Sequence, residues 1–203
     1  MKIIKDVDQK SDEWKKLRLG RFGSTDAQSV SANGKGLVTI CYQKVGELVT
    51  GKLPESYTNA HMERGNEYED MARSAYEIET GNLVTQVGYF DFDEFTGGSP
   101  DGLVGDDGLV EIKCPSDANF IKYLYEEKID TKYMWQMQHL MYLSDRKWCD
   151  FIIFNESLDK INIKRVERDE TKIAKIKAGL EVGSKKIQDI LKKIKWKKKK
   201  REP

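Results

Sequence analysis

The alternation of apolar and polar positions divides the chain into an early helical part and a later part where strands and helices mix. Residues 11–20 set Trp14 and Leu17 on one helical face, with Ser11 placed to cap the start and Gly20 to end it. A turn with hydroxyls at 21–25 leads into a short helix ending near Val30, and 31–36 reads as a polar loop. Over 37–49, Val38, Cys41, Val45 and Leu48 recur near helical spacing. A loop holding Pro54 spans 51–58, and 59–80 is the longest helix of the first half. On that helix Gly65, Glu69, Ala72 and Tyr76 share one face, so Glu69 is the acid expected to point inward. Glycine inside a helix costs about 1 kcal/mol against alanine, and a close backbone or ligand approach is one reason to keep Gly65 there.

The period then shortens. Residues 83–92 read as a strand, 95–98 as a turn, and a second strand is expected around Pro100-Asp101. Gly105-Asp106-Asp107-Gly108 is a hairpin turn into a third strand at 109–114. Helices follow at 116–127 and 131–143, then strands at 147–154 and 160–166. The last helix, 169–196, is amphipathic, with Ile173, Ile176, Leu180, Ile187, Ile190, Leu191 and Ile194 on its apolar side. This order predicts an α/β fold with a mixed central sheet flanked by helices.

At 203 residues, one domain over 1–203 is expected. No apolar run approaches the roughly 20 residues of a membrane span, and the first residues lack the apolar centre of a signal peptide. The expected location is cytoplasmic. Three cysteines, Cys41, Cys114 and Cys149, without close pairing fit neither a disulfide scaffold nor a zinc site, and are read as reduced core residues. The net charge of +1 hides an asymmetry: residues 185–203 carry ten basic and two acidic side chains, which leaves the body at −7. Such a basic helix end or tail suits a polyanion partner, or is simply solvated.

The densest chemistry lies in Gly97 to Pro115. Glu111 and Lys113 occupy one side of a short strand, and Val110 and Ile112 the other. Two charges on one face of an apolar strand are costly to bury unpaired, but serve if they meet a metal ion and a phosphate. Asp101 would join Glu111 across the hairpin if the register places them on one face. Taken singly, Asp101 after a proline is a turn residue, Glu111 and Lys113 a surface pair, and Glu69 one more solvated acid. Together they form a set able to hold hard cations and orient a water for phosphodiester hydrolysis.

The string from Ser99-Pro100-Asp101-Gly102-Leu103 to Glu111-Ile112-Lys113-Cys114-Pro115 resembles the PD-(D/E)XK nucleases, and within them the lambda-exonuclease (YqaJ-type viral recombinase) family. Trp14-Lys15-Lys16-Leu17-Arg18-Leu19-Gly20 is similar to the segment whose arginine binds a 5′-phosphate, which implies that role for Arg18. The segment from Arg64 to Arg73 resembles the helix supplying the first acid, matching at Glu69. The resemblance makes Asp101, Glu111 and the Ile112 carbonyl metal ligands and Lys113 the catalytic lysine. Gln136, within Tyr133-Met134-Trp135-Gln136, would complete the site. Where the family commonly has Thr-Ala-Ser this chain has Gly23-Ser24-Thr25, so Thr25 is the matching phosphate-binding hydroxyl.

The resemblance implies an enzyme using Mg²⁺ or Mn²⁺, one or two ions, that degrades one strand of linear double-stranded DNA from its 5′ end. It implies a ring-shaped trimer and a phage single-strand annealing protein as partner, in the host bacterial cytoplasm. The rival readings are a PD-(D/E)XK endonuclease of restriction or repair type and a non-catalytic DNA-end binding adaptor. An iron–sulfur nuclease would need four cysteines, and this chain has three.

Overall fold

The strand carrying Glu111, β6 (Gly108–Lys113), is buried along its length up to a half-buried Lys113. Its glycine and branched apolar residues suit a position with neighbours on both edges. A computed structural model of the chain describes residues 1–54 and 60–196, with the side chains of 60–66 excepted. In it, β6 is the middle strand of five, in the order β2 (Val84–Thr85), β5 (Gly102–Val104), β6, β7 (Trp148–Asn155), β8 (Lys160–Glu167). The pairing of β6 with β7 is parallel and the other pairings are antiparallel. A parallel neighbour needs a crossover, supplied by α5 (Asp117–Glu126) and α6 (Thr131–Ser144). The expected α/β architecture with a mixed sheet flanked by helices is what forms.

Helices cover both faces of β6. On one, Val110 and Ile112 pack with Ala72 and Tyr76 of α4 (Ala60–Thr80). On the other, Leu109 packs with Phe120 of α5 and with Met137 and Leu140 of α6. A third apolar cluster joins Phe22, Val30 and Leu37 to Ile176, Leu180 and Ile187. There α7 (Glu170–Lys193) crosses α2 (Ala27–Ala32) and α3 (Lys35–Thr50). Gly179 permits the crossing, because a Cβ there would stand 2.0 Å from the Val30 carbonyl oxygen. All three cysteines are buried thiols outside any disulfide.

The structure departs from the sequence expectations at several points. The strand expected over 83–92 divides between two sheets: β2 joins the five-stranded sheet, while β3 (Tyr89–Asp91) pairs with β1 (Lys2–Ile4) and β4 (Gly97–Gly98). Gly88 makes the transfer, donating to the Ile4 carbonyl at 3.0 Å and lying so close to Val7 that no side chain fits. The single strand expected around Pro100-Asp101 is likewise two, β4 and β5, with the proline step between them. The loop at 31–36 contracts to a break at Asn33, whose φ of 49° ends α2. Ile194 is 52% exposed, beyond the end of α7. The loop reading at 55–58, the helix start at Asn59, the surroundings of Gly65 and the lysine-rich tail from Lys197 lie outside the described residues.

One buried group gives the fold a pH dependence. His139 on α6 is fully buried, and neither ring nitrogen has a hydrogen-bond partner. Burial lowers its pKa from 6.5 to about 4. Between those values the unfolded chain takes up a proton that the native state refuses. Stability therefore falls as pH drops below 6.5, by about 2 kcal/mol near pH 5, and is intact above it. Urea unfolding of the wild type and of His139→Leu at neutral pH and near pH 5 checks this. The variant should lose about 2 kcal/mol less over the interval, and equal losses would refute the assignment.

Candidate active site

The strand β6 brings Glu111 and Lys113 to one face, as alternation requires. Glu111 is fully buried, and Lys113 Nζ donates to its Oε1 at 2.5 Å and to the Ile112 carbonyl at 2.8 Å. The β5–β6 ladder ends at Gly102 opposite Val110, and Asp101 follows one step beyond. Its carboxylate continues the ladder in place of a backbone carbonyl, accepting from the Ile112 N–H at 2.7 Å. Asp101 Oδ2 also lies 3.9 Å from Lys113 Nζ. Three oxygens thus surround one ammonium. Burial works against that charge, but Glu111 and then Asp101 outweigh it and hold Lys113 above the ordinary lysine range. Tyr133 of α6 adds its ring face 5.3 Å from Nζ.

The carboxylates respond to the same crowding. Burial raises the Glu111 pKa to about 7, with Lys113 opposing and Asp101 reinforcing the rise. Glu69 is also raised, by burial first and then by Asp101, against the pull of Arg73. Glu69 arrives from α4, on the Val110–Ile112 side of the sheet, and is half-buried as its helical face predicts. Arg73 holds it at 2.9 Å and holds Asp70 at 2.5 Å. With its amide oxygen turned toward Arg73, Gln86 accepts from both terminal guanidinium nitrogens at 2.8 and 2.9 Å.

Among the described residues, no three His, Cys, Asp or Glu side chains stand close enough to form a ready cation site. The lysine occupies the centre between Glu111, Ile112 and Asp101, and Glu69 is drawn to Arg73. The donor set nevertheless fits a hard divalent cation. Glu111 Oε2 is buried with no hydrogen-bond partner, an unmet acceptor beside a second carboxylate and a backbone carbonyl. Gln136 is half-buried on α6, one turn beyond Tyr133. Its neighbour Gln138 is structural, donating to the Glu167 carbonyl and accepting from the Asp169 N–H, both at 2.8 Å.

The residues read as a phosphate site also converge. Arg18 ends α1 (Asp12–Arg18), and its guanidinium stacks 4.3 Å from the Trp14 ring centroid. Among the described residues, no carboxylate lies within ion-pair distance of it. A Cβ built on Gly23 would stand 3.9 Å from Thr25 Oγ1 and 4.0 Å from an Arg18 terminal nitrogen, so both groups face one small cradle. Trp14 ties this cradle to the acids, since its indole N–H donates to Ser99 Oγ at 2.7 Å, two residues before Asp101.

No sequence signal marks Arg73, Gln86 or the N-terminal segment as part of the site. Gln9 donates to the Pro100 carbonyl at 2.9 Å and to the Val87 carbonyl at 3.2 Å, fixing the step that carries Asp101. The polar, chain-distant character of these contacts left no periodic signal. A cleft of about 290 Å³ runs past Glu69 and Asp101, with Lys5, Gln9 and Lys10 among its walls. A larger hollow of about 490 Å³, beside β8 and the start of α7, contains none of the candidate residues.

The model of the YqaJ-like viral recombinase domain matches residues 13–147. The chain is similar to an alkaline exonuclease from Laribacter hongkongensis, LHK-Exo. The two are 33% identical, with a TM-score of 0.83, over 91% of this chain and 96% of that one. The same exonuclease in complex with dAMP is 34% identical, with a TM-score of 0.79, over 91% and 98%. A phage-related exonuclease from Haemophilus somnus 129PT, 16% identical, shares the fold with a TM-score of 0.72 over 86% and 96%. A search of curated proteins gave no match. With its family domain matched over most of the chain and its fold that of the PD-(D/E)XK alkaline exonucleases, the chain belongs to the YqaJ-like viral recombinase family.

Proposed function

We propose that this protein is a divalent-metal-dependent exonuclease that degrades one strand of linear double-stranded DNA from a 5′-phosphorylated end. The observation that carries this reading is the arrangement of Lys113 Nζ on Glu111 Oε1 and the Ile112 carbonyl, beside Asp101, with Glu111 Oε2 buried and unpartnered. Asp101, Glu111, the Ile112 carbonyl and Glu69 would hold one or two Mg²⁺ or Mn²⁺ ions. When bound, such ions neutralise phosphate charge and lower the pKa of water. Lys113, kept protonated by its acceptors, orients the attacking water and offsets charge on the scissile phosphate. Gln136 completes the wall beside Tyr133. Arg18, Thr25 and the Gly23 backbone receive the terminal phosphate, so that the end of the strand sets the register of the cut. Degradation from the 5′ end leaves a 3′ overhang suited to a phage single-strand annealing protein. A ring-shaped trimer around the duplex is the assembly that fits this use.

Digestion of linear duplex in Mg²⁺, with one 5′ end phosphorylated and the other blocked, tests the reading beside a closed circle. Loss of the phosphorylated strand to mononucleotides is expected, with the circle intact. A nicked circle would move the protein to the endonucleases, and binding without cleavage would make it an end-binding adaptor.

A further inference from the structure

We propose that Lys10, flanked by Lys5, is a phosphate contact at the mouth of the active-site cleft, holding nucleic acid beside the scissile linkage. This rests on the exonuclease reading and adds a residue that the family motif does not contain, since the matched domain begins at residue 13. Lys10 adopts a φ of 74°, a left-handed conformation that long side chains rarely take and that costs on the order of 1 kcal/mol. Its backbone is nonetheless fixed there. Gln9 is tied to Pro100 and Val87, and Ser11, on the other side, caps α1.

The two lysines, both exposed, line the same 290 Å³ cleft as Glu69 and Asp101. Neither has a carboxylate within ion-pair distance among the described residues. The other charged groups of the cleft are Asp8, Glu69, Asp70 and Asp101. Of these, Glu69 and Asp70 are held by Arg73, and Asp101 by the Ile112 N–H. The carboxylates nearest the chemistry are therefore engaged elsewhere, and the Lys10 ammonium is left facing the cleft. A cation whose backbone is held at the cleft, with no ion pair of its own among the described residues, suits a phosphate of the bound strand or of the released nucleotide.

Lys10→Gly removes the charge and relieves the backbone, so weakened binding cannot be ascribed to damage of the fold. The probe is a duplex with phosphorothioate-protected 5′-phosphorylated ends, titrated against salt by fluorescence anisotropy. A lost strand contact should weaken affinity about threefold to tenfold and make the slope of log affinity against log salt shallower by about 0.9. Thermal stability should be unchanged or higher, and Lys10→Arg should retain both affinity and slope. Weaker competition by a deoxynucleoside 5′-monophosphate, with an unchanged slope, assigns the contact to the released nucleotide. No change in either measurement overturns the proposal while leaving the exonuclease reading intact. A wild type that fails to bind duplex overturns both.

Discussion

Lys113→Ala is expected to lower the rate of strand degradation by about 10³-fold, the scale on which a single positioned proton donor or charge acts in catalysis. Duplex affinity should change by less than about threefold, because one cation among many phosphate contacts contributes little binding. The change has a second consequence that must be kept apart from the first. Glu111 is fully buried, and Lys113 donates to its Oε1. Removal of the lysine leaves a buried carboxylate without its counter-charge, which is costly unless the group takes up a proton. Its pKa, already raised to about 7, would rise further. Comparison of Lys113→Ala with Lys113→Ala/Glu111→Gln separates the two effects. The double variant should recover stability and remain inactive. Activity in Lys113→Ala would remove the lysine from the mechanism, and equal stability of the single and double variants would show that Glu111 needs no counter-charge.

The parts of this site that the sequence revealed are those whose geometry is local. Alternation along a strand places Glu111 with Lys113 and opposite Val110 and Ile112 without knowledge of any partner. Helical spacing does the same for Glu69, Ala72 and Tyr76. The predicted burial holds for Ala72 and Tyr76, both fully buried, and for half-buried Glu69 beside exposed Glu67 and Asp70. What the sequence concealed depends on contacts between distant residues. The division of 83–92 between two sheets follows from Gly88 meeting Val7, some eighty positions earlier. A run of β-prone residues carries no mark of which sheet each half will join. Arg73 looked like one more charge on a charged helix. It is 8% exposed, and beside the local pairs to Glu69 and Asp70 it meets Gln86, which lies outside its helix. Gln136 and Gln138 are alike in sequence, and the Glu167 carbonyl and Asp169 N–H decide which of them is structural. Asp101 is intermediate. Proline before it signals a break in the strand, but its bond to the Ile112 N–H required the register of β5 and β6.

Arg18→Ala should cost about 10- to 100-fold in the rate of degradation from 5′-phosphorylated ends and little from 5′-hydroxyl ends. The range follows from the roughly 1.5–3 kcal/mol of a hydrogen bond to a charged group. The selectivity has a structural basis. The guanidinium is half-buried, braced on Trp14 at 4.3 Å, and free of carboxylates among the described residues, so its donors are committed to no ion pair. An exposed arginine of general DNA affinity would instead lose both substrates equally, and that outcome would refute the assigned role. Arg18→Lys keeps the charge but not the planar fork or the stacking, and should recover only part of the preference. Gly23→Ala gives an independent test, because its φ of −99° is open to any residue and the added methyl clashes with nothing. That methyl would sit between Thr25 Oγ1 and the Arg18 guanidinium, in the space assigned to the phosphate. It should therefore reduce the preference for phosphorylated ends while leaving thermal stability and the cleavage of hydroxyl ends unchanged. Loss of the preference in both variants, with the acids and Lys113 untouched, would separate recognition of the end from the chemistry that follows it.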